Sequence, residues 1–106
     1  MAKIKEVNDY HILFDDGSII TFDHLQDCCE DNYADFQQLE DLALIYDFDT
    51  ANLKFDPVTG SGFRFGNDYM FFIPCYSAQN GYYTTELDIY YNGVKVLNTK
   101  CEVNLV

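Results

Sequence analysis

Tryptophan is absent, proline occurs twice, and only six Lys and Arg side chains stand against eighteen Asp and Glu in 106 residues. The scarcity of cations argues against direct nucleic-acid binding, because Lys and Arg make the phosphate contacts and a formal charge of −12 repels a polyanion. Anionic membranes are disfavoured for the same reason. No run of about 18 apolar residues occurs, so no membrane-spanning helix is expected. The opening Met1-Ala2-Lys3-Ile4-Lys5-Glu6 lacks the apolar core of a signal peptide, and the expected location is the cytoplasm. Nucleotide-binding glycine motifs are missing too. Gly60, Gly62 and Gly66 have neither the Lys-Ser/Thr ending of a P-loop nor the spacing of a dinucleotide fingerprint.

What the chain does contain is aromatic and acidic. Nine Phe and nine Tyr within a 48% apolar composition suit strands that pack large rings against a sheet. The length suffices for one core and not two, so residues 1–106 are expected to form a single domain. Four cysteines in a reducing compartment read as buried thiols or metal ligands rather than two disulfides. Two of them are adjacent, and vicinal cysteines bridge only with strain. The charge is uneven: residues 23–56 hold ten carboxylates and a single cation, Lys54. A solvated face that confers solubility is the plain explanation for such a bias.

Residues 4–10, 11–14 and 18–22 are short apolar-rich runs. Asp15-Asp16-Gly17-Ser18 is a hairpin turn signal, so a three-strand meander is predicted. Asp23 is a good helix N-cap, with Gln26 placed as in a capping box. Leu25, Cys29, Tyr33, Phe36 and Leu39 follow at helical spacing. These features predict a helix over residues 24–32, broken and resumed up to residue 42. Short strands are expected at 43–48 and 52–55, with a loop over 56–62. Three further strands, 69–77, 82–91 and 94–105, are expected to form an antiparallel meander joined through Asn80-Gly81 and Asn92-Gly93. In the middle strand Tyr83, Thr85, Leu87, Ile89 and Tyr91 should face the core. The predicted class is α+β: antiparallel meanders with one short helical segment after the third strand.

His24 and Cys28 are four apart on that helix and share a face, with Cys29 about 100° round. Three soft ligands in six residues begin a zinc site, which wants four ligands in a tetrahedron. Cys75, on a strand expected to cross the core, is the first choice for the fourth; Cys101, Asp27 and His11 are weaker. The bland alternative is that Cys29 belongs to an apolar stripe with Leu25 and Tyr33. A third possibility makes Cys28 or Cys29 a nucleophile with His24 or His11 as base, although no orienting Asn or nucleophile-elbow sequence accompanies them. Asp23, Asp27, Asp31 and Asp35 recur every fourth residue and would form a carboxylate row about 6 Å apart along a helix. With Glu30, Glu40, Asp41, Asp47 and Asp49 nearby they could imitate a nucleic-acid backbone and occupy a basic protein surface.

Phe14-Asp15-Asp16-Gly17-Ser18, then His24-Leu25-Gln26-Asp27-Cys28-Cys29-Glu30, then Leu39-Glu40-Asp41-Leu42 resembles a small domain family of phages and bacteria. The family's signature is H-x-Q-D-C-C-E, and Asn80-Gly81-Tyr82-Tyr83 is similar to its later N-G-Y-Y element. The chain also resembles type II anti-CRISPR inhibitors. The family brings no assigned enzymatic activity, so a non-enzymatic role is expected, and a phage-encoded protein would sit in the host-cell cytoplasm. The resemblance implies a partner among RNA-guided DNA nucleases, and it singles out His24, Cys28 and Cys29 together as a metal-binding set. The expected function is therefore inhibition of such a nuclease through an acidic surface on a zinc-stabilised domain. The alternative is a structural or regulatory phage domain whose zinc is only a staple.

Overall fold

Two hairpins frame the fold, and both are written in short-range turn chemistry. The structure, a computed structural model, describes residues 1–23, 31–79 and 85–105. Strands β1 (Ile4–Val7), β2 (His11–Phe14) and β3 (Ile19–Asp23) form the antiparallel meander. Asn8 Oδ1 accepts the amides of Tyr10 and His11 and so shapes the β1–β2 turn. Gly17 closes the next turn at φ +92°, with Asp16 Oδ1 accepting the Ser18 amide. Alternation then buries Ile12, Phe14 and Ile20 completely.

The second hairpin joins β9 (Glu86–Tyr91) to β10 (Val94–Lys100) through Asn92 at φ +52° and Gly93 at φ +80°. Positive φ at both central residues is the primed turn that matches strand twist. Asn92 also ties the hairpins together. Its amide donates to Ile19 O, and its Oδ1 accepts the Ile19 amide. β3 lies antiparallel to β9, which completes a five-stranded sheet in the order β1-β2-β3-β9-β10.

Two three-stranded sheets cover the remaining core. One is β5 (Lys54–Pro57), β6 (Phe63–Gly66) and β7 (Phe71–Ile73), a meander. The other runs β11-β8-β4, with β8 (Cys75–Gln79) between antiparallel β4 (Asp31–Ala34) and parallel β11 (Glu102–Leu105). Cys101 is the junction between β10 and β11, and its amide donates to Thr85 O at 2.7 Å. Between β4 and β5 lie three 3₁₀ turns: η1 (Phe36–Gln38), η2 (Asp41–Leu44) and η3 (Thr50–Asn52).

Phe48 is the hub of the core. Its ring meets Phe14 edge-on at 5.3 Å, stacks on Phe65 at 5.9 Å and leans on Phe71 at 5.5 Å, so one residue touches the five-stranded sheet and the β5-β6-β7 sheet. Reciprocal backbone hydrogen bonds of 2.8 Å with Ala2 fix its position.

The fold is all-β, and the expectation of an α+β domain is overturned. The helical content of the described residues is the three 3₁₀ turns. The apolar spacing of Tyr33, Phe36 and Leu39 fits a helix, yet residues 31–34 pair with β8 as a strand, because the ladder and the buried sheet face outweigh weak local propensity. The rest of the predicted helix, residues 24–30, lies outside the described residues. Residues 43–48 form the end of η2 and a bridge at Phe48 rather than a strand. The expected C-terminal three-strand meander is also replaced. β8 does not pair with β9 but with β4 and β11, and residues 69–77 and 94–105 are each divided between two sheets. Within β9, Leu87 and Ile89 do face the core, and Tyr91 is half-buried with its hydroxyl donating to Thr50 O.

Candidate functional site

His24, Asp27, Cys28, Cys29 and Glu30 lie outside the described residues. Their flanks are placed. Asp23 ends β3 opposite Asp88, and Asp31 opens β4 opposite Ala78. Residues 80–84, which carry the Asn80-Gly81-Tyr82-Tyr83 element, also lie outside the described residues and leave from that same end of β8. Behind this end is a buried polar contact. Ser77 Oγ donates to Asn32 Oδ1, and Asn32 Nδ2 donates to Glu86 O at 3.2 Å.

Cys75 sits at the opposite end of β8, across from Ala34, and is completely buried. Its neighbour is Cys101, also buried, at the point where β11 begins its parallel pairing. The hydrogen bond with Cys101, and then burial, push the Cys75 thiol far above its usual range. It is therefore a neutral thiol and a poor nucleophile, and zinc would have to drive its ionisation. His11 is engaged elsewhere, with Nε2 2.6 Å from Glu6 Oε2 and 3.3 Å from Asn8 Nδ2. Among the described residues no group of three or more His, Cys, Asp and Glu side chains is placed to hold a metal ion.

The carboxylates are distributed differently from a helical row. Asp23 and Asp31 belong to different sheets, and Asp35 is the residue before η1, so these three do not share a helix face. Asp35 Oδ2 accepts the Gln38 side-chain amide at 2.8 Å. Glu40 and Asp41 project into solvent at the start of η2. Asp47 joins them a few residues on, held 2.7 Å from Lys3 Nζ. Among the described residues, Asp35, Glu40 and Asp41 have no ion-pair partner.

The segment bearing these acids is pinned from beneath. Phe36, Leu39, Ala43 and Phe48 point inward as successive anchors, and Tyr46 packs on Phe48 and Phe71, while most of the other side chains between them face out. Those outward residues include Leu42, Leu44 and Ile45, which are 59%, 44% and 69% exposed. Sequence reasoning missed them, because an apolar run ordinarily reads as buried strand. The only available signal was that Glu40 and Asp41 directly precede it.

Elsewhere, a groove of about 390 Å³ lies between the β5–β6 loop and the end of β10, lined by Pro57, Val58, Thr59, Gly60, Asn98, Thr99 and Lys100. Its one charged group is Lys100. Thr99 Oγ1 is committed to Gly62 O. No helix is long and apolar enough to cross a membrane among the described residues.

Compared with family models, with curated proteins and with solved structures, the chain matches none.

Proposed function

We propose that this protein is a non-catalytic binding module that occupies a basic protein surface through the acidic segment spanning η1 and η2. The observation that carries the reading is the placement of Asp35, Glu40 and Asp41 outside a rigidly anchored turn, without a cation partner among the described residues. An uncompensated acidic edge steers association with a cationic partner and raises its on-rate. The separate resemblance of the chain to type II anti-CRISPR inhibitors points to a type II RNA-guided DNA nuclease as that partner, since its channels for guide and target are positively charged.

Pull-down of the guide-loaded nuclease, paired with DNA cleavage at low and high salt, tests the reading. Binding and inhibition at low salt, weakened by Glu40→Gln with Asp41→Asn, is the expected result. Absence of binding at low salt overturns it. A structural zinc on His24, Cys28 and Cys29 belongs to the same proposal. Elemental analysis of protein purified without chelator should find about one zinc per chain, and a stoichiometry below about one half removes it.

A further inference from the structure

We infer that Leu42, Leu44 and Ile45 form an apolar anchor, and that the surface receiving it is an apolar patch ringed by Lys or Arg on a partner protein. The inference rests on the acidic docking face proposed above and specifies what its partner must present.

In a 3₁₀ turn, side chains three apart eclipse each other, so Leu42 and Ile45 stand one over the other, with Leu44 about a third of a turn away. Together the three leave on the order of 300 Å² in water, at the scale where an exposed apolar patch signals a contact site. The patch is rigid. Ala43 is fully buried beneath it, the Ala43 amide donates to Glu40 O at 3.0 Å, and the Ile45 amide donates to Leu42 O at 3.3 Å. Lys3 Nζ clamps the far side by donating to Ile45 O at 3.1 Å and to Asp47 at 2.7 Å. A partner therefore meets a backbone already ordered, and only the exposed side chains remain to be fixed on binding.

Glu40 and Asp41 precede the patch as carboxylates without a cation partner among the described residues, and Asp47, paired with Lys3, follows it, so the rim is acidic on the η2 side. An apolar centre with a polar rim is the usual anatomy of a protein interface. The centre alone is well below the roughly 800 Å² per partner of a standard complex, so the rim must take part and the partner must be cationic there. A second copy of this chain fits badly, since it would bring the same carboxylates and a formal charge of −12 against them.

The test uses the full chain and a synthetic amphipathic helical peptide with Leu on one face and Lys around it, titrated calorimetrically at about 0.15 M salt. A control peptide carries Ser in place of Leu. The wild type should bind the Leu peptide, and Leu42→Ser with Ile45→Ser should weaken binding about tenfold or more at unchanged Tm. The control peptide should bind both proteins equally, and only at low salt. The inference is overturned if the double variant binds as tightly as the wild type, or if the wild type does not distinguish the two peptides. It is also overturned if sedimentation shows a dimer that the double variant abolishes, because a second copy then covers the anchor. Failure of the nuclease pull-down alone leaves the peptide result standing and removes only the nuclease as partner.

Discussion

The five-stranded sheet and the β11-β8-β4 sheet use the same ladder hydrogen bonds but are specified at different ranges of the chain. In the first, β1-β2-β3 and β9-β10 are hairpins whose turns set their own register. In the second, Tyr76 pairs with Tyr33 on one side and Glu102 on the other, so no turn sets either pairing. That sheet depends on the core being already assembled, because closing long loops costs entropy that only buried contacts offset. The segments of proposed function attach to this second, context-dependent part: residues 24–30 lead into β4, and η1 and η2 follow it.

Phe48 links the five-stranded sheet to the β5-β6-β7 sheet while belonging to neither hairpin, and its loss should be felt most. Phe48→Ala is expected to cost about 3–5 kcal/mol, as other buried Phe truncations do. If the sheets form one cooperative unit, circular dichroism and tyrosine fluorescence will melt together at a lower Tm. Separate transitions would show that the locally written sheet survives without the hub.

A glycine pair sharpens the contrast at a smaller scale. Gly17 and Gly62 both have positive φ, +92° and +88°. A Cβ at Gly17 meets nothing within 4 Å, whereas at Gly62 it falls 2.6 Å from Ile73 O. Gly62 is also where the β5–β6 hairpin is tied to β10, its amide donating to Lys100 O at 2.9 Å. Gly17→Ala should therefore lose about 1 kcal/mol for backbone strain alone. Gly62→Ala adds a backbone clash and should lose about 3 kcal/mol. Equal losses in urea melts would mean that the β5–β6 hairpin shifts freely and that the close approach is not a constraint.

What could be read from the chain follows the same division. Asp15-Asp16-Gly17-Ser18 and Asn92-Gly93 declare turns because their chemistry acts within a few residues, and the alternation at Leu87 and Ile89 shows which face of β9 is buried. β4 was illegible because Tyr33, Phe36 and Leu39 satisfy a helical period equally well, and only the presence of β8 decides between the two. The division of residues 94–105 at Cys101 has no local marker beyond the burial of that thiol. Of the proposed acidic surface, Glu40 and Asp41 were visible as uncompensated charge. The apolar centre between them and Asp47 was not, since exposure of Leu42 and Ile45 depends on Ala43 and Phe48 being the inward residues.

The smallest effect concerns the seam between the two hairpins, where Asp23 of β3 faces Asp88 of β9. Like charges directly across strands repel, so Asp88 needs compensation. It comes from Asn98 Nδ2 at 2.8 Å and Lys95 Nζ at 3.2 Å. The Asn98 hydrogen bond is the larger cause, with Lys95 adding to it against a burial penalty, and together they hold the Asp88 carboxyl below its ordinary 3.8. Since the folded pKa is the lower one, the unfolded chain takes up the proton first as pH falls. The stabilisation is therefore fully present above about 3.8 and is lost as pH drops through the depressed folded value. Asn98→Ala should lower stability by under about 1 kcal/mol near neutrality, because the site is partly solvated. Its Tm difference from the wild type should shrink below pH 3.8. A difference that stays constant into acid would assign the loss to packing between β9 and β10, with no contribution from the Asp88 carboxylate.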